Sequence, residues 1–406
     1  VIHAAFVAPL FSPAASQMIE AAVSIPGLRL SVVTQEPLDR LAPALAARLA
    51  GHWRVDDITS EAQLEWALGG LAGVHGPVDR AYAAFEQVQL PLARVRERLG
   101  LPGLTSDAAA NFRDKARMKD VLRDAGIPVA RHRLLATPAD AVAFVREVGF
   151  PIVVKPPAGA GARATYRIAD LAALERLFVD HAVSAADPFL AEEFLRGTEH
   201  SIETVSIGGQ AVWHSITRYQ PTPLEVLEHP WIQWGVLLPR EVDAPAYDDI
   251  RAAVTRALDA LGMVTGVSHC EWFRRTDGTL AISEIAARPP GAHFTTMISR
   301  AHDIDFVRDW VRLMVGGTFT VPERKYAVGT AYLRGQGQGR VRAIEGLDVV
   351  AREFGPLVCD VQLPTPGQSP TGSYEGEGFI MVRHPSTEVV ERALQRLVSV
   401  VRVRLA

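Results

Sequence analysis

The sequence predicts an α/β (α+β) protein with four parts: an N-terminal βαβ parallel-sheet domain, a small β-loop-β lid, a central antiparallel sheet and a small C-terminal α+β domain. Two observations carry this. Up to about residue 105, short apolar runs alternate with amphipathic stretches, the rhythm of an open parallel sheet. From His200 onward, strand-like runs follow one another through glycine turns, as antiparallel hairpins do. The 406 residues suffice for two to four domains, and 48% hydrophobic with 22% charged content fits a globular chain with a sizeable core.

In order, "VIHAAFVAPL" reads as a buried strand, "SQMIEAAVSI" as a helix and "LRLSVVTQ" as the next strand. The turn after the first strand, "APLFSPAAS", holds no glycine, which argues against a dinucleotide site of Rossmann type. "TSDAAANFRDKARMKDVLRDAGIPVAR" predicts one capped amphipathic helix ended by Gly126. A helix, a strand ("PIVVKPP"), a glycine-rich hairpin loop, a helix and a strand ("PFLAEEFL") then make a unit at about 130–195, expected to be a mobile lid. Antiparallel strands meet at Gly208-Gly209, and "GVSHCEWFRR" and "LAISEIAAR" meet through Asp277-Gly278. The tail from about 318 alternates strands and turns and is expected to close with the helix "STEVVERALQRLVSVV". The expected domains are 1–108, 109–317 (containing the lid) and 318–406.

A formal net charge of −4 does not suggest a nucleic-acid or anionic-membrane surface. No apolar run approaches the ~20 residues that span a bilayer. No basic-then-apolar leader is evident, although a chain opening at Val1 leaves its true start open. Cys270 and Cys359 stand in no CxxC or CxxH spacing, against a disulfide framework or structural zinc. The expectation is cytoplasmic, without nucleic-acid or membrane partners.

Three stretches carry chemistry. Lys155 ends an apolar strand before a loop holding Gly159 and Gly161; such a loop can close backbone N–H groups over phosphate oxygens while the lysine supplies charge. The spacing is not a Walker A loop, and a plain hairpin with a solvated lysine fits it equally. "LAEEFLRGTEHSIE" crowds Glu192, Glu193, Glu199 and Glu203 into strand and turn; backbone near Glu193 and Leu195 can pair with an adenine edge, and Glu199 can accept from ribose hydroxyls. Glu271 and Glu284 fall on neighbouring strands, where they can face each other and hold a hard cation. Magnesium needs only one or two carboxylates when phosphates supply the rest, and two adjacent buried carboxylates without a cation repel.

The order of these pieces, from Lys115 through Lys155, the glycine loop and the acidic hinge strand to the paired carboxylates and Arg288, resembles the ATP-grasp superfamily of carboxylate–amine ligases over roughly 105–316. "HCE" followed by "EIAARPPG", and the tail around "VCDVQLPTPGQ", look most like the dipeptide-forming L-amino acid ligases. The resemblance implies an ATP-grasp fold and ATP with magnesium or manganese as cofactors. It implies phosphate contacts from Lys115, Lys155, Gly159 and Gly161, an adenine site at Glu192, Glu193 and Leu195, and a ribose contact at Glu199. It further implies metal binding by Glu271 and Glu284, and stabilisation of an acyl-phosphate by Arg288, with Arg288, Lys155 and Glu284 as the catalytic set. One departure stands out: Ala286 replaces the asparagine that many relatives carry as a further metal ligand.

The expected partners are small carboxylate and amine substrates, amino acids among them, and a homodimer is an open expectation. Candidate substrate residues are His269, Gly291, Ala292, His293, Trp231 and Trp234, with Tyr219, Glu225 and His229 nearby; His214 suits a core role. The alternative activities are a purine-pathway or bicarbonate-using ATP-grasp enzyme, since "EIAARPPGAH" is also similar to their E-x-x-x-R-P, and a nucleotide-binding module without turnover.

Overall fold

The computed structural model describes residues 1–159, 164–229 and 231–406. Strands β1 (Ile2–Val7), β2 (Leu28–Thr34), β3 (Gly51–Arg54) and β4 (Arg80–Tyr82) form a parallel sheet in the order β3-β2-β1-β4. Both faces are covered, so the strands read as continuous apolar runs: Phe6 and Val32 enter one core, Val7 and Val33 another. Chain direction through the sheet reverses beside β1, and a crevice opens there at the carboxyl ends of the strands. The residues just past β4, Ala84 to Gln87, lie on that crevice.

The single helix expected near residue 115 is two helices, Ser106–Arg113 and Lys115–Asp124. The break is at Asp114, which takes an extended conformation and caps the second helix by accepting from the N–H groups of Ala116 (2.9 Å) and Arg117 (3.0 Å). A capping aspartate next to a lysine thus sets the direction in which Lys115 leaves the backbone.

Next, β5 (His132–Leu135), β6 (Ile152–Lys155), β7 (Tyr166–Ile168) and β8 (Phe189–Glu193) form a small antiparallel sheet, order β5-β8-β6-β7, with the helices Pro138–Val148 and Leu171–Asp180 packed on it around Phe144, Val154 and Leu174. This is the expected β-loop-β unit. Residues 160–163, and with them the expected role of Gly161, lie outside the described residues.

The central strands follow as β9 (Gly197–Ile207) and β10 (Gln210–Gln220) around Gly208-Gly209, then β11 (Gly235–Leu238), β12 (Gly266–Arg275), β13 (Leu280–Ala286) and β14 (Ala327–Leu333). The last strands are β15 (Gly335–Gln336), β16 (Val341–Glu345), β17 (Val358–Gln362), β18 (Gly378–His384) and β19 (Arg402–Leu405). Eight of them make one sheet, β13-β12-β9-β10-β11-β14-β18-β17, which runs unbroken across residue 317. The tail does not close with the helix Thr387–Val400. It returns as β19 between β15 and β16, because Val401 and Val403 must be buried against the last helix.

Two further helices, Phe294–His302 and Phe306–Gly316, join the parts. Trp310 meets Tyr82 of the N-terminal sheet edge-on at 5.6 Å, within one apolar core that also takes in Trp234, Val236 and Met381 of the large sheet. The N-terminal sheet is therefore packed onto the site-bearing sheet through shared core.

Asp114→Ala removes the cap of the Lys115 helix and should lower unfolding free energy by about 1 kcal/mol. Urea melts of both proteins check this; equal midpoints would contradict a capping role.

Candidate active site

The site is built on one face of three strands. Because side chains alternate along a strand, Glu199, Ser201 and Glu203 of β9 share a face with His269 and Glu271 of β12, in the register Phe273↔Glu199, Glu271↔Ser201 and His269↔Glu203. Ile202, Cys270 and Trp272 turn the other way into core. Glu271 pairs directly with Glu284 of β13, as the two-strand pattern predicts. A bulge at this point leaves Ser283 extra in β13, so Ile282 and Ile285 both reach the core while Glu284 faces the site.

This face concentrates negative charge, and the surrounding elements balance it. Lys115, 5% exposed, sets its Nζ 3.0 Å from Glu284 and 2.8 Å from the carbonyl of Gly159. Lys115 and the start of the glycine loop therefore meet. Burial acts to raise the Glu284 pKa, but Lys115 and Lys155, with Arg288 beyond them, outweigh it and bring it down to about 2. Glu284 is held ionised.

Lys155 and Glu192 lie diagonally across β6 and β8, 2.9 Å apart, with Glu192 5% exposed. Its carboxylate is committed to lysines, so only its backbone is left for an adenine edge. A second lysine, Lys119, completes this group and sequence reasoning missed it. Fully buried, it approaches Glu192 at 3.3 Å and donates to the carbonyl of Ser283 at 2.8 Å, the carbonyl of the bulge. The available signal was its place one turn after Lys115, among Ala116, Met118 and Leu122.

Glu193 turns its carboxylate to Arg131 (2.8 Å) and Arg275 (3.3 Å). For Glu199, burial and then the charge of Glu271 push the carboxyl well above the ordinary glutamate range. Glu203, noted in the acidic stretch but given no role there, is fully buried and accepts from Ser201 (2.8 Å), Thr217 (3.3 Å) and the His269 ring at 2.8 Å. The other His269 nitrogen is 3.4 Å from Glu271. Burial opposes a charged imidazole there, but the bonds to Glu203 and Glu271 win and lift the pKa to about 9.

Arg288 does not answer Glu284 directly. Its Nε donates to Glu86 at 2.6 Å, and Glu86 is the first residue of the helix Glu86–Leu99 in the N-terminal domain. The arginine still faces the cavity, in the fields of Glu284 and Glu271. No local signal could reveal Glu86, which lies 202 residues away in sequence.

Lys115, Lys155, Glu199, Glu271, Glu284 and Arg288 line one cavity of about 780 Å³ between the small sheet, the large sheet and the end of the N-terminal sheet, with Lys119 and Glu203 behind its wall. Leu195, Gly159, His269, Gly291, Ala292, Tyr219 and Trp234 also line it. Two expected residues do not. Trp231 is 65% exposed and packs on the ring of His229, which does line the cavity. His293 takes a left-handed backbone (φ 59°) at the start of the helix Phe294–His302, and its ring lies on Phe379 at 4.4 Å. His214 is half-buried near Asp243 at 3.4 Å, also apart from the lining. Ala286 is buried opposite His269 and brings no ligand.

Lysines, a fixed arginine and an opposed carboxylate pair therefore meet in one cleft. Among the described residues no three His, Cys, Asp or Glu side chains cluster as a metal cage. Residues 120–302 match the ATP-grasp domain family. A relative, the L-arginine-specific L-amino acid ligase of Bacillus subtilis, is 27% identical over 268 residues, 64% of this chain and 64% of that protein. The fold is shared with an L-amino acid ligase from Bacillus licheniformis (TM-score 0.77, 22% identity, 100% of this chain and 99% of that one). It is also shared with N5-carboxyaminoimidazole synthetase from Staphylococcus aureus complexed with ADP (TM-score 0.72, 16% identity, 98% and 97%).

The chain carries an ATP-grasp domain over residues 120–302. The relatives with named activities are ligases, and the matched part of this chain spans 64% of the arginine-specific one and 50% of the alanine–anticapsin ligase of Bacillus subtilis. No described helix is long and apolar enough to cross a membrane.

Lys119→Met should destabilise the fold by about 2–3 kcal/mol, since it removes one of the two cations beside buried Glu192 and leaves the bulge carbonyl unpaired. The double variant with Glu192→Gln should recover part of that loss in urea melts. A loss under 0.5 kcal/mol in the single variant would contradict the pairing.

Proposed function

We propose that this protein is an ATP-dependent carboxylate–amine ligase joining an amino acid to an amine or a second amino acid. The observation that carries the reading is the Glu271–Glu284 pair, opposed across two strands and faced by Lys115, Lys155 and Arg288 in one cavity. A carboxylate oxygen of the donor attacks the γ-phosphorus of ATP, the bond to the β–γ bridging oxygen breaks, and ADP leaves. The amine nitrogen then attacks the acyl carbon, phosphate leaves, an amide remains and a proton passes to solvent.

Lys115, Lys155 and the loop beginning at Gly159 hold phosphate oxygens in this reading. The hinge at Glu193 and Leu195 takes the adenine edge through its backbone, and Glu199 takes the ribose. Glu271 and Glu284 hold magnesium, which neutralises phosphate charge when bound. The ionised state of Glu284 fits a metal ligand. Arg288, aimed by Glu86, is a fixed donor for the charge that develops on the transferring group. The small sheet 132–193 serves as a lid that excludes water from the acyl-phosphate.

A bicarbonate-using or purine-pathway activity is the second reading, favoured by the shared fold of the Staphylococcus aureus synthetase. Against it, the turn after β1, "APLFSPAAS", lacks the glycines that let backbone wrap a ribose phosphate. ADP release driven by amino acids and not by bicarbonate separates the two, and also excludes a module without turnover.

Glu284→Gln should cut amino-acid-dependent ADP release about a hundredfold or more at saturating magnesium, with a melting temperature near that of the wild type. Turnover within a factor of three of the wild type would mean that the carboxylate pair is not the reaction centre.

A further inference from the structure

Part of the cavity wall comes from far along the chain. Tyr374 and Glu375, in the loop between β17 and β18, both face the cavity. The loop is fastened on either side of them. Glu377, 5% exposed, accepts from the N–H groups of Gly335 (2.5 Å) and Thr371 (2.9 Å). The Tyr374 ring sits edge-on to buried Trp234 at 4.8 Å. Gly376 has φ +64°, and a Cβ there would meet the carbonyl oxygen of Leu333 at 2.5 Å, so the backbone passes tightly against β14. Glu375 is thereby held at the cavity by its neighbours.

Most carboxylates around the reaction centre have cationic partners: Glu284 has Lys115, Glu192 has Lys155, Glu86 has Arg288 and Glu271 has His269, while Glu199, without an ion pair among the described residues, is pushed toward its neutral form by burial and by Glu271. Glu375 is half-buried, yet among the described residues it makes no hydrogen bond and no ion pair. Burial alone lifts its carboxyl above the ordinary glutamate value. The Tyr374 hydroxyl beside it feels Glu271 and Arg288, so this wall borders the reaction centre. A rigidly held, partly desolvated carboxylate without a partner is satisfied by a cation that arrives with the ligand.

We propose that Glu375 is a specificity-determining residue that receives the cationic group, an ammonium or guanidinium, of an amino-acid substrate. The proposal rests on the ligase reading and adds which substrate chemistry its cavity selects. The cation has two sources, the α-ammonium that every amino acid carries or the side chain of a basic one.

The test uses the full chain with ADP and magnesium, as wild type, Glu375→Gln and Glu375→Lys. Lysine, norleucine, arginine and citrulline are titrated by calorimetry, and KM and kcat are taken from ADP release with each. Glu375→Gln should weaken binding about ten- to a hundredfold, raise KM more than it lowers kcat, and leave nucleotide affinity within a factor of two. Glu375→Lys should abolish the same binding. A loss confined to lysine and arginine places the side-chain cation at Glu375; an equal loss with norleucine and citrulline places the α-ammonium there. Unchanged affinity for all four in Glu375→Gln, an equal loss of nucleotide affinity, or a wild type that binds none of the four overturns the proposal. A wild type that binds them through Glu375 but releases no ADP would refute the ligase reading and leave this subsite standing.

Discussion

Two carboxylates set directly across from each other, Glu271 on β12 and Glu284 on β13, impose the constraint that orders the rest of the site. Like charges at that spacing repel unless cations stand beside them. The chain supplies those cations from three directions: Lys115 from a helix start, Lys155 from the small sheet and Arg288 from the turn after β13. Each lysine is also tied to a second structural element. Lys115 holds the base of the glycine loop, and Lys155 shares Glu192 with Lys119. The charge balance of the site and the docking of the small sheet are therefore the same set of contacts. A polyphosphate entering the cavity would compete for those lysines, which is how ligand binding can be coupled to the position of the sheet that covers it.

The N-terminal sheet takes part through packing and one ion pair. Tyr82 against Trp310 fixes its attitude toward the large sheet, and Glu86, at a helix start just past β4, reaches Arg288. An acidic residue is favourable in the first turn of a helix, so Glu86 suits its local place as well as its distant partner. The Arg288 guanidinium is aimed by a domain that carries none of the site's lysines or paired carboxylates. The loop carrying Glu375 closes the cavity from the other end of the chain.

Much of this was legible in the sequence, for identifiable reasons. Alternation with period two gives the shared face of β9 and β12, and Asp277-Gly278 brings β12 beside β13, but it takes the bulge at Ser283 to set Glu284 opposite Glu271. Lys155 before a glycine loop was readable because strand and loop are contiguous. Lys119 was not, since an amphipathic pattern treats lysine as solvent-facing, whereas here a bulge carbonyl and Glu192 keep it inside. Glu86 and Glu375 were hidden because their meaning depends on contacts hundreds of residues away. Trp231 and His293 were placed in the cavity on residue type alone. The chain geometry puts one in solvent and turns the other through a left-handed backbone onto Phe379.

The central claim is that the opposed carboxylates couple a hard cation to nucleotide binding. Calorimetric titration of a non-hydrolysable ATP analogue, with and without magnesium, tests it most directly when run on the wild type and on Glu271→Gln/Glu284→Gln. The wild type should bind the analogue at least tenfold more tightly with magnesium, and the double variant should lose that dependence while still binding the metal-free analogue. An identical magnesium dependence in the two proteins would contradict the account.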